Sequence, residues 1–432
     1  MSYRRLVLSI TALAALVAAL WATPANAQQG GIQPIDDSQL NALTTTIGGA
    51  QPLPTDNTMQ HFFGTSVNPN DGVTYGWNMA GADPAANSSA SIQVDVYPIV
   101  LHIAGRTFDG NNILNATLNS PQFASNDYGS TPHATAAGAF PNRPAFVRGA
   151  GGALSQGDAG QALQLEDATM RAQFNMTGKA SHYHLRLVPV VQPTITIDVP
   201  SGSGGLAVSG RGVVFPLVNY QWWGSRIQNL MVSADPTHLP LYLTDSLLLQ
   251  AGTSCCVIGF HGAGEVVGRG TGSVNGNGKQ AVQTFAWASW IRPGIYARAD
   301  GGTDWAVQDI HALSHEIAEW GDDPFVNNKV QPWLTPTAPQ YGCTGVMETG
   351  DPVVGIGFAA GHNIYDQTPN PDGTNSFDGY FHPEDEVFLP WFMRFASNAT
   401  GSEANQSGVG GRYTLMGDLN PFPGFRQPAT GC

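Results

Sequence analysis

The sequence predicts an α+β fold, a twisted and loop-rich β-sheet with helices packed on it. Three observations lead there. Strand-like runs dominate the first two thirds of the chain, and the one strongly patterned helix comes late. Between them, 52 glycines and 30 prolines punctuate a chain of 432 residues. Strands first and the decisive helix late read as α+β rather than as alternating βαβ units. Charged residues are only 12% of the chain, too few for many long helices facing water.

Taken in order, residues 1–27 read as a signal peptide. Arg4-Arg5 is followed by the apolar stretch from Leu6 to Trp21 and by the small-residue site Ala25-Asn26-Ala27. That stretch and every later one fall short of the ~20 apolar residues of a membrane helix. The expectation is a secreted or periplasmic chain with no membrane span. Residues 28–90, rich in Gln, Asn, Thr, Gly and Pro, read as a weakly ordered lead-in, and 91–432 as the domain.

Within that domain 91–103 alternates with period two and reads as a core strand. Helices are expected over 112–123 and 161–174. Strands follow over 182–199, interrupted by Pro189 and Pro193, and over 205–217, 239–250, 256–261 and 280–291. A helix is expected from about residue 304 to 320, with Thr303 or Asp304 as its N-cap. After Gly321 the chain reads as loop, with one more ordered piece over 384–394.

The net charge is −14 and the only lysines are Lys179, Lys279 and Lys329, so neither nucleic acid nor anionic lipid is expected as a partner. Four cysteines in an exported chain suggest two disulfides. Adjacent residues rarely reach disulfide geometry. Cys255 and Cys256 are therefore each expected to reach out, one to Cys343 and one to Cys432.

The chemistry concentrates in Ile310-His311-Ala312-Leu313-Ser314-His315-Glu316-Ile317-Ala318-Glu319-Trp320. On a helix at about 100° per residue, Ala306, Ile310, Leu313 and Ile317 share one stripe, and His311, His315 and Glu319 fall nearly opposite. His315 and Glu319, one turn apart, have the spacing that lets two side chains grip one ion. Glu316 stands where a His-Glu-x-x-His metallopeptidase carries its general base, and Glu319 replaces the second histidine. That replacement makes the donor set harder, so Mn²⁺ or Ca²⁺ would compete with zinc. Glu348 is the expected third ligand. Asp351, His311, Asp323 and His261 are expected to support the ligands or line the cleft. Trp222-Trp223, Trp287 and Trp290 could stack on sugars, although a core role is the commoner one for such residues.

The stretch 310–328 resembles the Ser-His-Glu-Leu-Ala-Glu … Asp-Pro segment of secreted bacterial zincin-like proteins, themselves distantly similar to the plant EXORDIUM (phosphate-induced) family. Gly342-Cys343-Thr344-Gly345, Phe388-Leu389-Pro390-Trp391 and the Cys256 to Gly262 segment fit the same pattern. The resemblance implies a zincin-like core with His315 and Glu319 as ligands and Glu316 as base. The expected function is a zinc-dependent peptidase acting on peptide or protein substrates. The plant family, read as extracellular and growth-related, supplies the alternative of a non-catalytic binding protein on the same scaffold.

Overall fold

A seven-stranded mixed sheet organises the chain. The computed structural model describes residues 58–126, 161–252, 254–266, 281–296, 307–334, 343–396 and 413–415. The expected signal peptide, the expected cap at Thr303 or Asp304, and Cys432 lie outside the described residues. In chain order the first elements are β1 (His61–Val67), β2 (Thr74–Ala80), β3 (Ser89–Ile103), β4 (Arg106–Asp109), α1 (Asn111–Leu118), α2 (Leu165–Gln173), β5 (His184–Val191) and β6 (Ile195–Asp198). Next come β7 (Gly204–Val208), β8 (Val214–Asn219), α3 (Tyr220–Met231), β9 (Leu239–Asp245), β10 (Leu248–Ala251), β11 (Ser254–Val257), β12 (Gly259–Val266) and β13 (Ala281–Trp290). Last are α4 (His311–Asp322), β14 (Lys329–Leu334), β15 (Cys343–Val346) and α5 (Leu389–Phe392). The class is α+β, as the sequence predicts.

The main sheet runs β12-β13-β9-β3-β4, with β5 and β6 also pairing along the 15-residue β3. Strand β9 lies parallel to both β13 and β3, and the β12–β13 pair is antiparallel. Side chains alternate between its two faces, because successive strand residues point opposite ways. Leu241, Leu243, Ala286 and Ala288 join the large core that also holds Leu313 and Ile317 of α4. Tyr242, Phe285 and Trp287 join a second core containing Trp223 and Ile227 of α3. A four-stranded sheet, β11-β10-β8-β7, and the hairpins β1-β2 and β14-β15 complete the strands.

On the face of β13 toward α4, the small Ala286 and Ala288 lie between Thr284 and Trp290. Trp320 then reaches across to donate its indole N–H to Thr284 Oγ1 at 3.0 Å. Trp223, Trp287 and Trp290 are fully buried core residues. Trp222 is partly exposed under the Arg226 guanidinium. Among the described residues no helix is long and apolar enough to cross a membrane.

Several expectations need correction. Part of the segment expected to be a weakly ordered lead-in is the β1–β2 hairpin, with Met59, Phe62, Trp77 and Met79 in the core. The run 205–217 is a hairpin of two strands, and 239–250 divides into β9 and β10, which belong to different sheets. Cys255 and Cys256 are bonded to each other, not to distant partners. The peptide bond between them is cis and their Cα atoms lie 3.0 Å apart, so the sulfurs meet without leaving the strand. Cys343 is also disulfide-bonded.

Candidate metal centre

Helix α4 starts at His311, later than the sequence suggests, because the chain just before it is held by the sheet. Asp309 forms an antiparallel bridge with Ile291 and sits at φ 42°, a left-handed conformation that Asp tolerates better than most residues. Its carboxylate accepts hydrogen bonds from the His382 backbone N–H at 2.8 Å and from His382 Nδ1 at 2.7 Å. From His311 onward every residue of α4 is buried. The polar stripe of the helix therefore faces protein: strand β12 on one side, and the segments around 350 and 384 on the other.

His315 is the pivot. Its Nδ1 lies 2.8 Å from Glu384 Oε2, and since an ionised carboxylate only accepts, the ring donates there. In the neutral ring that leaves the Nε2 lone pair pointing at Glu319 Oε1, 3.2 Å away, and toward Asp351 Oδ1 at 3.9 Å. Carboxylate–imidazole pairs of this kind orient metal-ligating histidines. Glu384 is itself fixed. Its Oε1 accepts from the Gly355 N–H at 3.0 Å, and its N–H donates to Ser314 Oγ at 2.8 Å. His311 Nε2 reaches the same Glu384 Oε2 at 3.0 Å, so His311 braces the brace.

Strand β12 supplies the opposite wall. Gly259 and His261, two residues apart, face α4 together, while Phe260 between them enters the other core. A Cβ on Gly259 would collide with the Glu316 carboxylate, and one on Gly350 would collide with the His315 ring. Both side chains thus occupy space that only glycine leaves open. His261 Nδ1 lies 3.5 Å from Glu319 Oε2 and 3.7 Å from Glu316 Oε2. Its Nε2 lies 3.3 Å from the Asp323 carbonyl oxygen.

His315, Glu319 and Asp351 form one group of donor atoms close enough to hold a metal ion, and His261, Glu316 and Glu319 form a second. The donor chemistry fits a divalent cation. Each group offers one imidazole nitrogen and two carboxylate oxygens, a borderline-to-hard set suited to zinc or manganese. Two donors on one tetrahedral zinc stand roughly 3.3 Å apart, given bonds of about 2.0 Å, close to the separations here.

The local field also favours a cation. Glu316, Glu319, Glu348, Asp351, Glu384 and Asp323 are all at most 1% exposed. Imidazoles of His261, His311 and His315 lie against Glu316, Glu319, Asp351 and Glu384. Buried charge of one sign requires compensation. Burial opposes protonation of His315, yet Glu319 and then Glu384 outweigh it and hold its pKa well above the ordinary value. Burial likewise works against His261, but the Glu319 carboxylate beside it and the charge of Glu348 raise it to about 9. Glu319 would be pushed up by burial alone. His315 and His261 instead bring it down to about 2. Asp323 rises to about 7 because burial outweighs its backbone hydrogen bonds.

The predicted residues are placed as follows. His315, Glu319 and Asp351 lie together in one group of donor atoms, and Glu348 is in neither group. Glu348 is buried and acts on His261 through its charge. Asp351 opens a 3-10 turn, Asp351–Val353, three residues after Glu348. His311 supports His315 through Glu384, and His261, on β12, lies beside Glu316 and Glu319. Asp323 caps the helix end, its carboxylate accepting from Asn327 N–H at 2.9 Å and Asn328 N–H at 3.1 Å. The residue missed as a site member is Glu384. Its signal was the acidic run Glu384-Asp385-Glu386 in a chain so poor in charge.

Comparison with known proteins adds nothing to this geometry: no family model, curated protein or solved structure shows a significant match.

Proposed function

We propose that this chain is an exported metal-dependent hydrolase, with peptide bonds as its substrate class and zinc as its ion. The observation that carries the reading is the convergence of His315, Glu319 and Asp351 within bonding reach of one point, with the Glu316 carboxylate beside them on the same helix. A zinc ion held there would supply Lewis acidity toward the scissile carbonyl and toward water. Glu384 fixes the His315 ring so that Nε2 faces inward. The Gly350 N–H, donating to Glu319 Oε1 at 3.2 Å, fixes the rotamer of that carboxylate. Glu316, seated in the notch left by Gly259, takes the proton of the attacking water and returns it to the leaving amine. Manganese would compete for two carboxylates and one imidazole more effectively than at a histidine-rich site.

The test pairs two variants on a peptide library. Glu316→Gln is expected to keep the ion at His315 and lose turnover, whereas His315→Ala loses both. A wild-type protein that holds the ion but cleaves no peptide would favour a second reading, a binding protein in which the cation is structural. Burial favours that alternative: His315 is the most exposed of the donors, at only 9%.

A further inference from the structure

The two donor groups share a single residue. Glu319 turns Oε1 toward His315 and Asp351, and Oε2 toward His261 and Glu316. The His261 side repeats the logic of the His315 side. A backbone carbonyl can only accept, so the 3.3 Å approach of His261 Nε2 to the Asp323 oxygen makes Nε2 the protonated nitrogen. In the neutral ring the lone pair is then on Nδ1, which looks at Glu319 Oε2 from 3.5 Å. Neither of these two atoms has a hydrogen-bond partner, and both residues are at most 1% exposed. A ring nitrogen and a carboxylate oxygen facing each other, both dry, need positive charge between them: the ring's own proton in the cation-free protein, a bound cation in the loaded one. Imidazoles that donate one N–H to a carbonyl and turn the other nitrogen inward are a recurrent feature of metal ligands.

We infer that Glu319 bridges two divalent cations, one held with His315 and Asp351, the other with His261 and Glu316. The inference rests on the metal reading of the His315 group and changes the role of Glu316 from free base to ligand. The strand and the helix build this second position together. Alternation on β12 turns His261 toward α4, and Gly259, two residues earlier, makes room for Glu316. Carboxylate-bridged ions in hydrolytic two-metal sites stand about 3.5–4 Å apart and clamp both the attacking and the leaving oxygen.

The test is a titration of the full chain, stripped with chelator, using Mn²⁺ alone, followed by bound-metal analysis and electron paramagnetic resonance. Wild type is expected to bind two equivalents, the second converting the isolated-ion signal into an exchange-coupled one. His261→Ala should bind one equivalent with an isolated signal, and His315→Ala should also lose an equivalent. Circular dichroism checks that each variant is folded. If His261→Ala does not fold, the wild-type stoichiometry and coupling still decide. A wild type that binds one equivalent, lost in His315→Ala and unchanged in His261→Ala, overturns the bridge while leaving the first site standing. A wild type that binds none overturns both.

Discussion

Gly350 leaves room for His315: a Cβ at position 350 would land on the imidazole ring. Gly350→Ala is therefore expected to push the ring off its line to Glu319 and Asp351. Cation affinity should fall by about 10–100-fold, the range for disturbing a ligand's support. Overpacking should remove about 1–3 kcal/mol of stability. Gly345→Ala is the control, since its Cβ would meet its nearest neighbour at an ordinary 3.5 Å. Calorimetric titration and thermal melting of both variants check this, and equal behaviour of the two would contradict it.

Glu384 reaches both His311 and His315, at 3.0 Å and 2.8 Å. Glu384→Ala removes the acceptor that orients His315 and leaves two buried imidazoles short of a partner. Cation affinity should drop by about 10–100-fold with the three donors of that group intact. Unchanged affinity in a competition assay against a chelating dye would mean that the ring is held by packing alone.

Away from the centre, His382 gives a pH signature. Burial pulls its pKa down, but the Asp309 carboxylate, helped by Asp378, wins and raises it to about 9. The unfolded value is about 6.5. Between these values the folded protein holds a proton that the unfolded chain has released. Its stabilising contribution is full below pH ~6.5 and disappears as pH rises through about 9. His382→Gln should flatten the stability curve across that window, as read by urea melts at stepped pH. A variant curve parallel to wild type would count against the pairing.

The close approach of α4 to the sheet depends on small residues. Ala288, opposite Gly259 on the neighbouring strand, lies in the same core as Leu313 and Ile317. Ala288→Leu should cost about 1–3 kcal/mol through overpacking. It should also weaken cation binding, because His261 on β12 and Glu319 on α4 would be driven apart. Stability loss with full cation affinity would show that the sheet and the helix do not set the site's spacing.

The sequence revealed the parts of the fold whose cause is local. Alternation over 91–103 marked β3, and the opposed stripes of 310–320 marked α4. What it hid was tertiary. The start of α4 follows Asp309 bridging to Ile291, a pairing with no signal in local periodicity. The β1–β2 hairpin could have been found from Asn70-Asp71-Gly72, where Gly72 turns at φ 70°. Its partners, such as Asn328 donating to the Asn78 carbonyl, lie 250 residues away. In the site, helical spacing was enough for His315 and Glu319. The grouping of Asp351 with His315 and Glu319, and the contact of Glu384 with His315, depend on loop paths that composition does not encode. Adjacent cysteines rarely pair, whereas Cys255 and Cys256 do.

The most direct test is a crystal of the full chain soaked with zinc and measured on both sides of the zinc absorption edge. The account predicts an anomalous peak about 2.0–2.2 Å from His315 Nε2, Glu319 Oε1 and Asp351 Oδ1. A map with no peak at that point, or with the ion bound by Glu348 while Asp351 turns away, would contradict it.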